Sequence, residues 1–263
     1  MAGQLLYLHP LNIVLWLWGL LFLLFSRGER PYRVLGWIWL SVFVLLIFAK
    51  SKIYYLAPAY PPLFAAGGIA IERWVARRGA GWLKPAVVVF LLAGGVALTP
   101  ISIPYMDIDS TEAFIDAITF SKFENIYELT GDLRSMFGWD TRVAPVADVY
   151  NRLPPEDRER AVIRASNYGV AGAIDLLGGE YQLPHAACLD LSYWLWGVQE
   201  WKGDVVILAG FRKEDVEHIF KEVETAAEVK LDHVNPWQSP FRVLIGRSPV
   251  KPLPEIWQRN RPW

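Results

Sequence analysis

Chemistry-bearing side chains are densest in Lys50-Ser-Lys-Ile-Tyr-Tyr-Leu-Ala-Pro-Ala-Tyr-Pro-Pro62, where two cations, three tyrosines and three prolines fall within thirteen residues. A Lys ammonium and a Tyr hydroxyl both donate to phosphate oxygens, and proline fixes φ in an irregular turn. The alternative is an aromatic belt with snorkelling lysines. Two further stretches carry candidate groups. Ser166–Asp175 reads SNYGVAGAID, with Gly169 and Gly172 spaced GxxG. Where a strand opens into a helix, the free N–H groups can hold an anion. Close strand–helix packing explains the same glycines without a ligand, and the spacing is not GxGxxG. Ser192–Gly197 reads SYWLWG. Tyr193, Trp194 and Trp196 could stack on a sugar, lie on a membrane surface or anchor a core. The four histidines, His9, His185, His218 and His233, are isolated, so no metal site is expected from this chain. Cys188, the one cysteine, stands in an apolar setting and leaves no internal disulfide. Neither a GxSxG nucleophile elbow nor a P-loop is present.

These groups depend on two dissimilar halves. Residues 1–100 hold nine Lys/Arg against two Glu, a net of +7. The remaining 163 hold 17 basic against 25 acidic residues, a net of −8. The overall net of −1 gives no ground for a nucleic-acid partner. In the first half, Leu5–Phe25 is uncharged, and Tyr32–Ala49, Pro61–Val75 and Leu83–Ile103 are further apolar runs. A span needs about 20 residues for a hydrocarbon core of roughly 30 Å, so about four transmembrane helices are expected over 1–104. The third run is short and carries Glu72. The first is a poor signal peptide, because no Lys or Arg precedes it and no small-residue cleavage site follows it.

Orientation follows from charge. Ser26–Arg33 carries three Arg, and Glu72–Lys84 three Arg and one Lys. The positive-inside bias puts both in the cytoplasm. The Lys50–Pro62 connection and everything beyond Ile103 then lie outside, giving a multi-pass protein of the inner or plasma membrane with an extracytoplasmic C-terminal domain. Lys50 and Lys52 fall on the disfavoured side and call for snorkelling or a ligand.

Residues 105–263 read as a small α/β domain. Trp139–Leu153 and Tyr168–Leu177 have helical patterns, the second stopped by Gly178-Gly179. Arg160–Ser166, Asp204–Ala209 and Phe241–Ile245 read as strands, with Ala186–Leu189 a short candidate. Lys213–Thr225 shows Val216, Ile219, Phe220 and Val223 at helical spacing and predicts an amphipathic helix. Thr111–Met136 reads as helix and loop. Alternating strands and helices give a layered α/β domain.

The motif Lys52-x-Tyr-Tyr-Leu-x-Pro-x-Tyr-Pro61, preceded by Gly3, Gln4, Pro10 and Leu11, resembles the late membrane spans of family 39 glycosyltransferases. These are polytopic enzymes related to protein mannosyltransferases and lipid A aminoarabinose transferases. SNYGVAGAID, SYWLWG and DVVILAG (Asp204–Gly210) resemble the extracytoplasmic domain of bacterial members. The resemblance covers most of the chain and implies a sugar carried on a polyprenyl phosphate. It assigns donor-phosphate binding to Lys52, Tyr54 and Tyr55, with Lys50 as an anchor. Tyr193, Trp194 and Trp196 are candidate acceptor or sugar contacts. The family's catalytic acid pair lies in the first extracytoplasmic loop, where an acidic residue acts as base or binds a metal. No acidic residue precedes Glu29 here. The expectation is therefore a C-terminal fragment without turnover of its own, with no cofactor inside it and room for a divalent metal in a complete enzyme. Its partners would be membrane lipid, a polyprenyl-phosphate sugar and the missing catalytic part. The rival expectation is a non-catalytic, membrane-anchored glycan- or partner-binding protein.

Overall fold

The computed structural model describes residues 12–119, 127–197 and 205–259. Gly3, Gln4, Pro10, Leu11, His9 and Asp204, named above, lie outside these residues. The chain divides into two compact units, Met1–Met106 and Asp107–Trp263.

The first unit is helical: α1 (Ile13–Phe25), α2 (Arg33–Phe48), α3 (Pro61–Arg78) and α4 (Leu83–Ser102). A 3-10 helix over Arg27–Tyr32 joins α1 to α2, and another over Ile53–Ala59 precedes α3. Two segments, Gly28–Phe48 and Leu83–Ile101, are long and apolar enough to cross a membrane, against the four runs read from the sequence. The described part of α1 has 13 residues. α3 ends in Glu72, Arg73, Arg77 and Arg78, which cut its hydropathy. Only 11% and 6% of the two apolar windows are buried. Val34, Trp37 and Leu45 on α2 and Val89, Leu92 and Val96 on α4 are exposed. A core helix of a water-soluble fold hides such residues, so these faces call for an apolar surrounding.

α1 and α3 run side by side in the same direction. Trp16 meets Tyr60 with ring centroids 5.5 Å apart, and Phe22 meets the Arg73 guanidinium at 5.2 Å. The approach is close because glycines face backbone. A Cβ on Gly19 would fall 1.9 Å from the Leu63 carbonyl oxygen, and one on Gly67 would fall 2.0 Å from that of Leu15. Small residues at a helix crossing let backbones approach in this way. Trp39, Leu56, Tyr60 and Leu63 complete the buried cluster.

The second unit begins with α5 (Ile108–Thr119) and α6 (Tyr127–Arg134), pinned by the Arg134–Glu112 ion pair. Then follow α7 (Trp139–Arg152), the short α8 (Pro155–Arg158), β1 (Val162–Ala165), α9 (Tyr168–Leu177), α10 (Ser192–Trp196), β2 (Val205–Ala209), α11 (Lys213–Val216), β3 (Phe220–Val229), β4 (Phe241–Pro249) and α12 (Leu253–Arg259). The sheet order is β1-β2-β4-β3, with β1 and β2 parallel and the other pairs antiparallel. All five residues of β2 are buried, as expected for a strand covered on both faces. Ile163, Ala165, Ile207 and Val243 pack under α7 and α9. Val206, Leu208 and Leu244 pack on the other face with Val216, Phe220 and Leu253.

Two sequence expectations are corrected. Lys213–Thr225 is not one helix: α11 stops at Val216, and Phe220–Val229 forms edge strand β3. The apolar spacing fits a helix, but pairing with β4 along Phe220–Val229 overrides that local pattern. Ala186–Leu189 contributes a single parallel bridge, Arg164 with Ala187, rather than a strand.

Candidate functional site

α2 ends at a left-handed residue. Lys50 has φ +48°, and its N–H donates to Ile47 O while Ser51 N–H donates to Leu46 O, at 3.1 Å each. Lys50 therefore closes the helix, and its cation stands at the negative end of the helix dipole. Lys52 is extended and starts the 3-10 helix Ile53–Ala59. Its ammonium lies 5.8 Å from the Tyr54 ring centroid. The Tyr54 and Tyr55 rings stand nearly perpendicular, 5.0 Å apart, and both are exposed. Leu56 and Tyr60, the next inward residues, are fully buried and hold the turn down. The structure thus brings Lys52, Tyr54 and Tyr55 together and gives Lys50 a separate, local task.

The opposite end of the unit carries the arginines. Arg73 pairs with Glu29 at 2.6 Å and Lys84 with Glu72 at 2.9 Å. Arg78 lies over Trp74 at 5.6 Å. These contacts hold the Arg27–Tyr32 connection and the end of α3 on one side, as alternating helices require. Glu29 and Glu72 are the only carboxylates before Asp107, and both are on that side. The Lys52 end therefore combines donors with no neighbouring carboxylate of its own unit.

In the second unit the two quoted motifs meet. Tyr193 of SYWLWG donates its hydroxyl to Asp175 Oδ2 of SNYGVAGAID at 2.9 Å. Asp175 Oδ1 accepts the Ala186 N–H at 2.7 Å and lies 3.4 Å from His185 Nδ1. Burial, reinforced by the Asp175 carboxylate, pushes the Tyr193 phenol up to about 12. Trp194 turns inward and donates its indole N–H to Trp257 O at 3.3 Å. Trp196 packs edge-on against Tyr193, with centroids 4.7 Å apart, and is 62% exposed. The three aromatics thus divide: Trp194 anchors, Tyr193 is oriented by Asp175, and Trp196 is exposed against Tyr193. Asp175 and His185 were not singled out by sequence as site residues. Asp175 lies inside a quoted motif, but only the fold places it eighteen residues away against Tyr193.

The start of α9 is capped by its own chain. Asn167 Oδ1 accepts the Val170 N–H at 3.1 Å, and a Cβ on Gly169 would fall 2.9 Å from the Trp139 ring. The GxxG glycines therefore serve packing at Gly169, while a Cβ on Gly172 would lie 3.8 Å from the Tyr193 hydroxyl. Burial pushes the Cys188 thiol up to about 11, which makes it an inert packing group. Among the described residues no three metal-ligating side chains gather.

Comparison with protein-family models, with curated proteins and with solved structures finds no match to this chain.

Proposed function

We propose that this chain is the donor-lipid-binding part of a membrane glycosyltransferase that uses a polyprenyl-phosphate sugar. In this reading α1 to α4 span the membrane, the Lys52 end faces outward, and the second unit is extracytoplasmic. The observation that carries the proposal is the exposed cluster of Lys52, Tyr54 and Tyr55, at the end of the helices opposite the arginines. A cation and two phenols at headgroup depth match a lipid phosphate, which takes charge-assisted hydrogen bonds from both. With Glu29 and Glu72 at the far end, the first unit supplies binding rather than a general base.

The test is donor affinity of the full chain for a short polyprenyl-phosphate sugar. A charge-assisted hydrogen bond contributes about 1.5–3 kcal/mol, so Lys52→Gln should weaken binding about tenfold to a hundredfold. Lys50→Gln should leave it unchanged. If Lys50→Gln weakens binding as much as Lys52→Gln, diffuse charge is responsible; if neither matters, the segment is an aromatic belt.

A second reading, a membrane-anchored glycan-binding protein, is favoured by one observation: the exposed Trp196 ring packed on Tyr193, whose hydroxyl donates to Asp175. Aromatic faces with adjacent acceptors suit sugar rings and their hydroxyls. It predicts that Trp196→Ala abolishes glycan binding without loss of stability, while Lys52→Gln leaves glycan binding intact.

A further inference from the structure

We infer that Arg164 is the anion-holding residue of a phosphate site at the carboxyl edge of β1 and β2. Ile163 and Ala165 belong to the core beneath α7 and α9. Strand alternation therefore puts Arg164 on the opposite face, beside its register partner Leu208. The side chain is 8% exposed. Its guanidinium carbon lies 5.1 Å from the ring centroid of Phe211, two residues beyond the end of β2, so the cation reaches the edge where the parallel strands finish.

Other arginines of the unit find at least one acceptor, although Arg142 Nη2 and Arg158 Nε are also buried without a partner. Arg142 donates to Phe137 O at 2.8 Å, and Arg158 donates to Asn151 O at 2.8 Å and to Leu153 O at 3.2 Å. Arg134 pairs with Glu112. Arg164 has no acceptor at its buried Nε, and no carboxylate pairs with it among the described residues. An arginine does not escape this cost by losing its proton, since it remains charged at any physiological pH. A buried charge without a counter-ion is disfavoured unless something anionic joins it.

The surroundings suit a phosphate. Ser166 follows directly on the end of β1, and its hydroxyl oxygen accepts from Asn167 Nδ2 at 3.3 Å, which leaves its proton to donate to an oxyanion. Gly210 turns at φ +80°, and a Cβ there would fall 2.6 Å from Ser166 Oγ and 3.1 Å from the Phe241 ring, so only glycine fits this edge. Carboxyl edges of parallel strands are where α/β domains hold ligands. A planar guanidinium, a hydroxyl and a bare glycine turn are the parts a phosphate or pyrophosphate group uses. This site is independent of the Lys52 cluster, and neither reading needs the other.

The experiment is thermal unfolding of the full chain in detergent, titrated at constant ionic strength with inorganic pyrophosphate and, separately, with geranyl phosphate. A saturable rise in unfolding temperature in the parent, absent in Arg164→Met, is expected with at least one probe. The probe that acts tells a free phosphate from a lipid headgroup. Without probe, Arg164→Met should unfold at the same or a higher temperature, because it removes an uncompensated charge. No response to either probe in the parent, or an equal response in Arg164→Met, overturns the inference. Should Arg164→Met fail to fold, Arg164→Lys decides: half-saturation at least tenfold higher supports the site, since a point charge replaces the fork, and an unchanged value overturns it.

Discussion

Gly67 and Gly68 are neighbours on α3 with opposite tasks, and alanine at each separates helix propensity from helix crossing. A Cβ on Gly68 meets nothing within 4 Å, whereas one on Gly67 lands 2.0 Å from Leu15 O. Real Cβ atoms essentially never approach within 3.0 Å, so α1 and α3 must part by about 1 Å over this crossing. Overpacking costs about 1–3 kcal/mol, and the upper end applies because the obstruction is backbone rather than a flexible side chain. Alanine in a helix returns about 1 kcal/mol relative to glycine. Gly67→Ala should therefore lose about 2 kcal/mol net, roughly a thirtyfold shift in the unfolding equilibrium, while Gly68→Ala should gain up to about 1 kcal/mol. Gly19→Ala meets Leu63 O at 1.9 Å and should behave like Gly67→Ala. The assay is denaturant-induced unfolding of the full chain in mixed micelles, followed by tryptophan fluorescence. If Gly67→Ala and Gly68→Ala prove equally stable, α1 and α3 do not cross through these glycines and the described packing is wrong.

Lys50→Gly should stabilise the chain by about 1 kcal/mol, because φ +48° suits glycine and strains a residue with a Cβ; an unfolding midpoint lower than that of the parent would contradict the capping role. Tyr193 and Cys188 have folded values raised to about 12 and about 11, both chiefly by burial. Their neutral forms are favoured in the folded state, so that stability is complete below the unfolded values of 10.0 and 9.0 and is lost as pH rises through the folded ones. The unfolding midpoint should thus fall between about pH 9 and pH 12, and Tyr193→Phe should flatten the upper part of that fall. Cys188, fully buried, should resist a thiol-specific chromogenic reagent at pH 8 and react stoichiometrically in denaturant; fast reaction in the folded chain would place it on the surface.

Local patterns carried a large part of this structure. The α9 boundaries, Tyr168–Leu177, were legible because a helical pattern runs up to Gly178-Gly179, while the Asn167 cap at its start emerges only in the structure. β2 was legible as an unbroken aliphatic run. The failure at Lys213–Thr225 has a physical cause. Val216, Ile219, Phe220 and Val223 satisfy a helical period, yet Phe220 packs on Gly246 of β4, and no feature of the segment itself reports that partner. At the candidate sites, the Lys52–Tyr55 cluster was legible because its residues adjoin in sequence. The Tyr193–Asp175 pair was not, since its members stand eighteen residues apart. Arg164 did leave a signal: a lone cation between Ile163 and Ala165 in a strand otherwise fit for burial.

The sequence by itself determined the division into an apolar basic part and an acidic α/β part, because hydropathy and charge are sums over neighbouring residues. It also determined which side chains could do chemistry. Tertiary structure decided which of them meet. The backbone approach at Gly19 and Gly67 turned two glycines into a helix crossing. The return of α10 to α9 fixed Tyr193 and left the Trp196 face open. Sheet alternation left Arg164 buried beside Phe211 without an acceptor for Nε. Such outcomes depend on distances between residues remote in the chain, and those distances are set only when both faces of a sheet or helix have been covered.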